Sequence, residues 1–116
     1  MDLSTATPLD VLRNGRRSEE DYIVGAGYRF GKILRRIECV DGFDVSVQAG
    51  DALYSKPRED AGPWTHVEVG YPSERPEPWD EWSKYAEEAD NPMHTVYNYV
   101  PFSMVEALIA LHGGPR

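Results

Sequence analysis

Three histidines, His66, His94 and His112, and one cysteine, Cys39, are the residues of this 116-residue chain whose types suit metal ligation or nucleophilic chemistry. A zinc site needs imidazoles, thiolates or carboxylates at recognisable spacing. His66 and Glu68 lie two apart in HVEVG, on one face of an extended segment, but no HExxH or paired-cysteine companion accompanies them. They define the weakest of three function classes, an enzyme working through His66 and Glu68. His66 is otherwise a solvent-facing strand histidine, and His112 stands near a helix C-terminus, where the partial negative charge favours imidazolium. Cys39 has neither a local cysteine-protease signature nor a GxSxG turn for company, and it reads as a small buried hydrophobe. No catalytic residue, metal or cofactor is assigned from these residues.

The glycines of GAGYRFG, Gly25, Gly27 and Gly31, miss the dinucleotide spacing and lack a preceding βαβ context. A flexible entry into the first strand is the plainer reading. Beside them Arg29, Lys32, Arg35 and Arg36 form the one basic patch, which could hold a phosphorylated ligand. That patch supports an alternative function, a binding protein or sponge for a small nucleotide signal.

Charge placement says more than charge total. The formal net charge is −8, and residues 59 to 116, with three bases against eleven acids, carry all of it. Glu74, Glu77, Asp80, Glu81, Glu87, Glu88 and Asp90 face only Arg75 and Lys84 within residues 74 to 90. Such density repels phosphate, so direct binding of nucleic acid is not expected. Trp64, Tyr71, Trp79, Trp82, Tyr85, Tyr97 and Tyr99 are interspersed with these acids. They either close a small core or, with the acids, form an interface that steers towards a basic partner. The interface reading selects Glu74, Glu77, Trp79, Asp80, Glu81, Trp82, Glu87 and Glu88 as partner-binding residues.

The elements that must position these groups follow from pattern. Residues 1 to 30 read as a flexible arm holding a short helix, capped by Thr7, opened by Pro8 and stopped near Asn14 and Gly15. Residues 31 to 116 read as a single domain. ILRRIECV and FDVSVQA are two extended runs joined by Asp41-Gly42, a dipeptide suited to a type I′ turn. In the second run Phe43, Val45, Val47 and Ala49 alternate with Asp44, Ser46 and Gln48, which predicts one buried face and one wet face. The stretch from Gly50 to Pro63 is a connector, WTHVEVGY a third strand, and PSERPEP an extended link. WDEWSKYAEEAD predicts a short helix with Trp79, Trp82 and Tyr85 on one side and the acids facing water. HTVYNYV is a fourth strand or an extended lead into SMVEALIALHGG. There Ser103 and Glu106 predict a capping box, Met104, Val105, Leu108 and Leu111 the buried face, and Gly113-Gly114 the stop. The class is α+β, a small antiparallel sheet of three to four strands packed on a C-terminal helix.

No 18-residue apolar run predicts a membrane span. The opening MDLSTATPLD has neither a basic lead nor an apolar stretch, and the single cysteine suits a reducing compartment, so the cytoplasm is the expected location.

Taken in order, IECVDGFDVSVQAG, YSKPRED, GPWTHVEVGYPSE, VYNYVP and VEALIALHGG resemble a family of small, mostly uncharacterised bacteriophage and prophage proteins. The likeness covers about residues 37 to 114 and leaves the first 30 outside it. It carries no catalytic motif and transfers no functional residue. What it implies is context, because phage accessory proteins of this size often inhibit a host system, anti-CRISPR and other anti-defence proteins among them. The expectation is therefore a non-enzymatic inhibitor in the bacterial cytoplasm. Its partner would be a host protein with a basic nucleic-acid-handling surface, with a homodimer also admitted.

Overall fold

The computed structural model describes residues 9, 12–13, 22–23, 33–50, 53–58 and 62–116. Among them, the elements whose bounds are described run in the order β1 (Tyr22–Ile23), β2 (Ile33–Leu34), β3 (Ile37–Glu38), β4 (Asp44–Gln48), β5 (His66–Gly70), α1 (Trp79–Trp82), β6 (Val96–Pro101) and α2 (Phe102–Leu111). A 3-10 turn over Ser83–Tyr85 continues α1. β3, β4, β5 and β6 make a four-stranded antiparallel sheet in that order, and β1 pairs with β2 separately. The α+β class read from the pattern is the class observed.

Alternation builds this sheet. Val45 and Val47 of β4 pack with Val67 and Val69 of β5 and with Tyr97 and Val100 of β6, all fully buried. α2 adds Val105, Leu108 and Ile109, the i, i+3, i+4 stripe of a helix laid on a core. Each such aliphatic contributes about 1.5–3 kcal/mol by burial. Leu111, expected on this face, is 61% exposed, because the stripe continues through His112 instead. The capping box at Ser103 does not form. Phe102 is the first helical residue, Pro101 occupies the N-cap position without a side-chain hydrogen bond, and Glu106 pairs with Arg13 at 2.8 Å. β6 runs straight into α2, since the Phe102 N–H is held by the Thr65 carbonyl of the neighbouring chain segment. The glycine stop is as expected, with Gly113 and Gly114 at φ 91° and 87° and their N–H groups returned to the Ala110 and Ile109 carbonyls.

The hairpin falls at Asp41-Gly42 but with a different turn. Type I′ needs positive φ at both central residues, and among Val40, Asp41 and Gly42 only Gly42 has it, at 98°. The Gly42 N–H reaches the Cys39 carbonyl and the Cys39 N–H the Phe43 carbonyl, so the loop has three residues, Val40 to Gly42, with glycine at its left-handed end. The C-terminal tail docks here. Val40 N–H bonds to the Gly114 carbonyl, Arg116 N–H bonds to the Glu38 carbonyl, and Cys39 bridges Pro115, which covers the outer edge of β3.

ILRRIECV is not one strand. Its halves, β2 and β3, enter different sheets, and Gln48 explains the break: its side-chain Oε1 accepts the Leu34 N–H at 2.9 Å and its Nε2 donates to the Leu34 carbonyl at 2.8 Å. Gln48 thus replaces a neighbouring strand for one residue. It is buried, at 7% exposure, and not on a wet face as the alternation predicted. Gln48→Leu, which leaves both Leu34 groups unpaired, is expected to lower stability by about 2 kcal/mol or more in urea denaturation.

The predicted N-terminal arm falls mostly outside the described residues. Within them, Leu9, Leu12 and Arg13 are helical, and Leu9 and Leu12 belong to the main core at 5% and 0% exposure. The core therefore extends across the expected boundary at residue 30.

Candidate functional site: an acidic lobe on an aromatic base

The connection from β5 to β6, residues 71 to 95, is the acidic lobe. It is closed at its base by the Tyr71 N–H bonding to the Thr95 carbonyl at 3.1 Å. Beyond that base the chain leaves the sheet, turns through α1 and the 3-10 segment, and returns alongside β6. The return is paired: Ala86 bridges Tyr97, Glu87 N–H bonds to the Val96 carbonyl, and Glu88 N–H bonds to Thr95 Oγ1. Residues 86 to 88 consequently shield the free edge of the sheet.

Spacing of three sets the scaffold. Trp79, Trp82 and Tyr85 fall on one side of a segment that tightens from α-helix into 3-10 turn, where i and i+3 eclipse. Trp82 is 1% exposed and meets the buried Tyr97 edge-on, with ring centroids 5.6 Å apart at 85°. Trp79 meets Tyr97 in the same manner at 6.4 Å and 84°, so one tyrosine ring serves both indoles. The Tyr97 hydroxyl donates to the Pro92 carbonyl at 2.6 Å, which ties the far side of the lobe to the same ring. Burial pushes its phenol up to about 12.

Unfolded tyrosine ionises near pH 10 while Tyr97 holds its proton to about 12, so the unfolded chain releases it first. This contribution to stability is complete below about pH 10 and declines as pH rises from there towards 12. Alkaline titration followed by phenolate absorbance is expected to show a late tyrosine component that is lost in Tyr97→Phe.

On this base the carboxylates face outward: Glu74, Glu77, Asp80, Glu81, Glu87, Glu88 and Asp90 are all exposed. Two of them also have structural bonds. Glu77 accepts Arg75 Nε at 2.8 Å and the Trp79 N–H at 3.1 Å; Arg75 first, and then the Trp79 N–H, hold its carboxyl below the usual range. Glu87 accepts Asn98 Nδ2 at 3.0 Å. Arg75 also lies over the Trp79 ring, 5.5 Å from its centroid.

The structure thus places six of the eight predicted partner-binding residues, the glutamates and Asp80, at the surface of one lobe. Trp82 is the correction. It is sunk in the core and supports the lobe without contacting anything outside, because the helix stripe that gathers the aromatics turns its middle member inward. Trp79 is half-buried. Sequence reasoning gave less weight to Tyr71, which is 53% exposed at the base of the lobe with a left-handed φ of 48°, and it passed over Met93, 42% exposed in the turn before β6. Arg36 holds the Tyr71 carbonyl at 2.6 Å and Asp44 Oδ1 at 2.6 Å.

That engagement bears on the basic patch. Arg36 is committed to Asp44 and Tyr71, Arg35 has interactions of its own, and Arg29 and Lys32 lie outside the described residues. The histidine reading fares similarly: His66 Nδ1 bonds to Thr65 Oγ1 at 2.9 Å, and Glu68 Oε2 accepts the Tyr54 N–H at 3.0 Å. Glu68 faces a bulge where Tyr99, at φ 52°, turns its N–H to the Tyr54 carbonyl, so this carboxylate has a structural task. His112 stacks on Phe43 at 3.9 Å and places Nδ1 2.7 Å from Asp41 Oδ2. The Phe43 N–H, then His112, hold the Asp41 carboxyl below its usual range. Cys39 is fully buried, its thiol pushed up by desolvation and then by Asp41 and Asp44, which makes it a poor nucleophile.

Among the described residues, no group of three or more His, Cys, Asp or Glu is gathered as a metal would require, and no helix is long and apolar enough to cross a membrane. No family model, curated protein or solved structure matches the chain.

Proposed function

We propose that this chain is a phage-encoded, non-enzymatic inhibitor that acts in the bacterial cytoplasm by binding a host defence protein of the CRISPR type. Its acidic lobe occupies the basic surface on which that protein handles nucleic acid. The observation that carries the reading is the outward presentation of seven carboxylates on a lobe whose interior is braced by Trp79, Trp82 and Tyr97. A rigid array of negative charge is a phosphate substitute: it meets Lys and Arg already arranged for a nucleic-acid backbone without the entropy cost of ordering a loop. Aromatic contact comes from Tyr71 and the open side of Trp79.

Immobilised full chain, incubated with bacterial lysate at low salt, is expected to retain a nucleic-acid-binding protein that DNA or RNA then displaces. Retention that neither nucleic acid nor added salt disturbs would refute this reading.

A further inference from the structure

Between α1 and α2 lies a groove of about 180 Å³, lined by Glu77, Pro78, Glu81, Trp82, Met104, Ala107 and Leu108. Its floor is apolar, since Trp82 and Leu108 are 1% and 2% exposed and Met104 is half-buried. One rim carries the exposed carboxylates of Glu77 and Glu81. The opposite wall is α2, FSMVEALIAL, which contains no cation. The volume is below the range of about 300–1,000 Å³ typical of small-molecule sites and suits a single side chain.

We propose that this groove receives one arginine side chain from the basic partner, a proposal that rests on the lobe being a recognition surface. The alkyl stem covers Met104, Ala107 and Leu108, as long cationic side chains do on apolar ground. The guanidinium head reaches Glu81, beside the Glu77 carboxylate that Arg75 and the Trp79 N–H already hold. The chain already contains a related pairing. The Arg75 guanidinium lies over the Trp79 ring of the same helix and bonds to Glu77 at 2.8 Å, so an arginine head between an apolar surface and a carboxylate is already present on this lobe. Glu81 is readily available to a second cation, because its contact with Lys84 is long, at 3.6 Å, and exposed on both sides. Arginine is favoured over lysine by its planar head, which pairs with carboxylate through two parallel hydrogen bonds.

The test uses isotopically labelled full chain titrated with two peptides: acetyl-Gly-Gly-Arg-Gly-Gly-amide and nonaarginine. The short peptide is expected to shift the resonances of Met104, Ala107 and Leu108, and its citrulline counterpart, equal in shape but uncharged, to bind at least about tenfold more weakly. Ala107→Phe, at an exposed helix position, fills the groove and is expected to abolish those shifts while leaving the rest of the spectrum folded. Glu81→Gln keeps the groove open and is expected to weaken the peptide severalfold. If citrulline binds as well as arginine, or Ala107→Phe changes nothing, the groove assignment is overturned. In that event salt-sensitive binding of nonaarginine leaves the broader reading of the lobe standing. Failure of nonaarginine to bind at low salt removes both.

Discussion

Reversing five lobe carboxylates, Glu74, Asp80, Glu81, Glu88 and Asp90, to lysine is expected to slow association with the basic partner on the order of 10²–10³-fold at low salt. Each substitution changes the charge by two, so the chain moves from −8 to +2 and attraction becomes repulsion. The set is chosen from the structure. It spares Glu77 and Glu87, whose carboxylates hold the Trp79 N–H and Asn98, so the fold of the lobe is left intact. Rim charges act mainly on the encounter rate and are screened over about 8–10 Å at physiological salt. The difference between parent and variant is therefore expected to shrink as salt is raised, in stopped-flow or surface-based kinetics. Equal association rates at low salt would mean that the charge serves another purpose.

Trp82→Ala has the largest expected effect on stability, a loss of about 3–5 kcal/mol in urea denaturation. The indole is buried and packed edge-on against Tyr97, which also carries Trp79 and, through Pro92, the far side of the lobe. Truncation leaves a cavity beneath all three contacts. For a domain whose total stability is about 5–15 kcal/mol, that is about a fifth of the margin or more. Trp79→Ala, at a half-buried ring, is expected to cost about 1–2 kcal/mol less than Trp82→Ala. A small stability loss at Trp82 with a large loss of binding would restore it as a contact residue and contradict its position in the core.

The two variants separate roles that one sequence stretch, WDEW, runs together. Charge at Asp80 and Glu81 concerns the partner, and the second indole concerns the fold. Spacing indicates that Trp79, Trp82 and Tyr85 share a side, but not which member of that side lies deepest, since depth depends on what returns over them from residues 86 to 97.

Local chemistry alone determined a good deal. Alternation in β4 and β5, the glycine at the hairpin, the paired glycines that end α2 and the segregation of acid into residues 74 to 90 are each short-range consequences of side-chain period, backbone freedom or composition. They were legible because every residue involved acts within a few positions of itself. Tertiary structure decided the rest: that Gln48 is buried to serve Leu34 fourteen residues away, that Arg36 is occupied by Asp44 and Tyr71, and that the tail beyond His112 closes the edge of β3. It also decided that the acids form one outward lobe over a sunken Trp82. These depend on which polar groups lose water when distant segments meet, and an unpaired buried group is costly enough to override the pattern that its own strand or helix predicts.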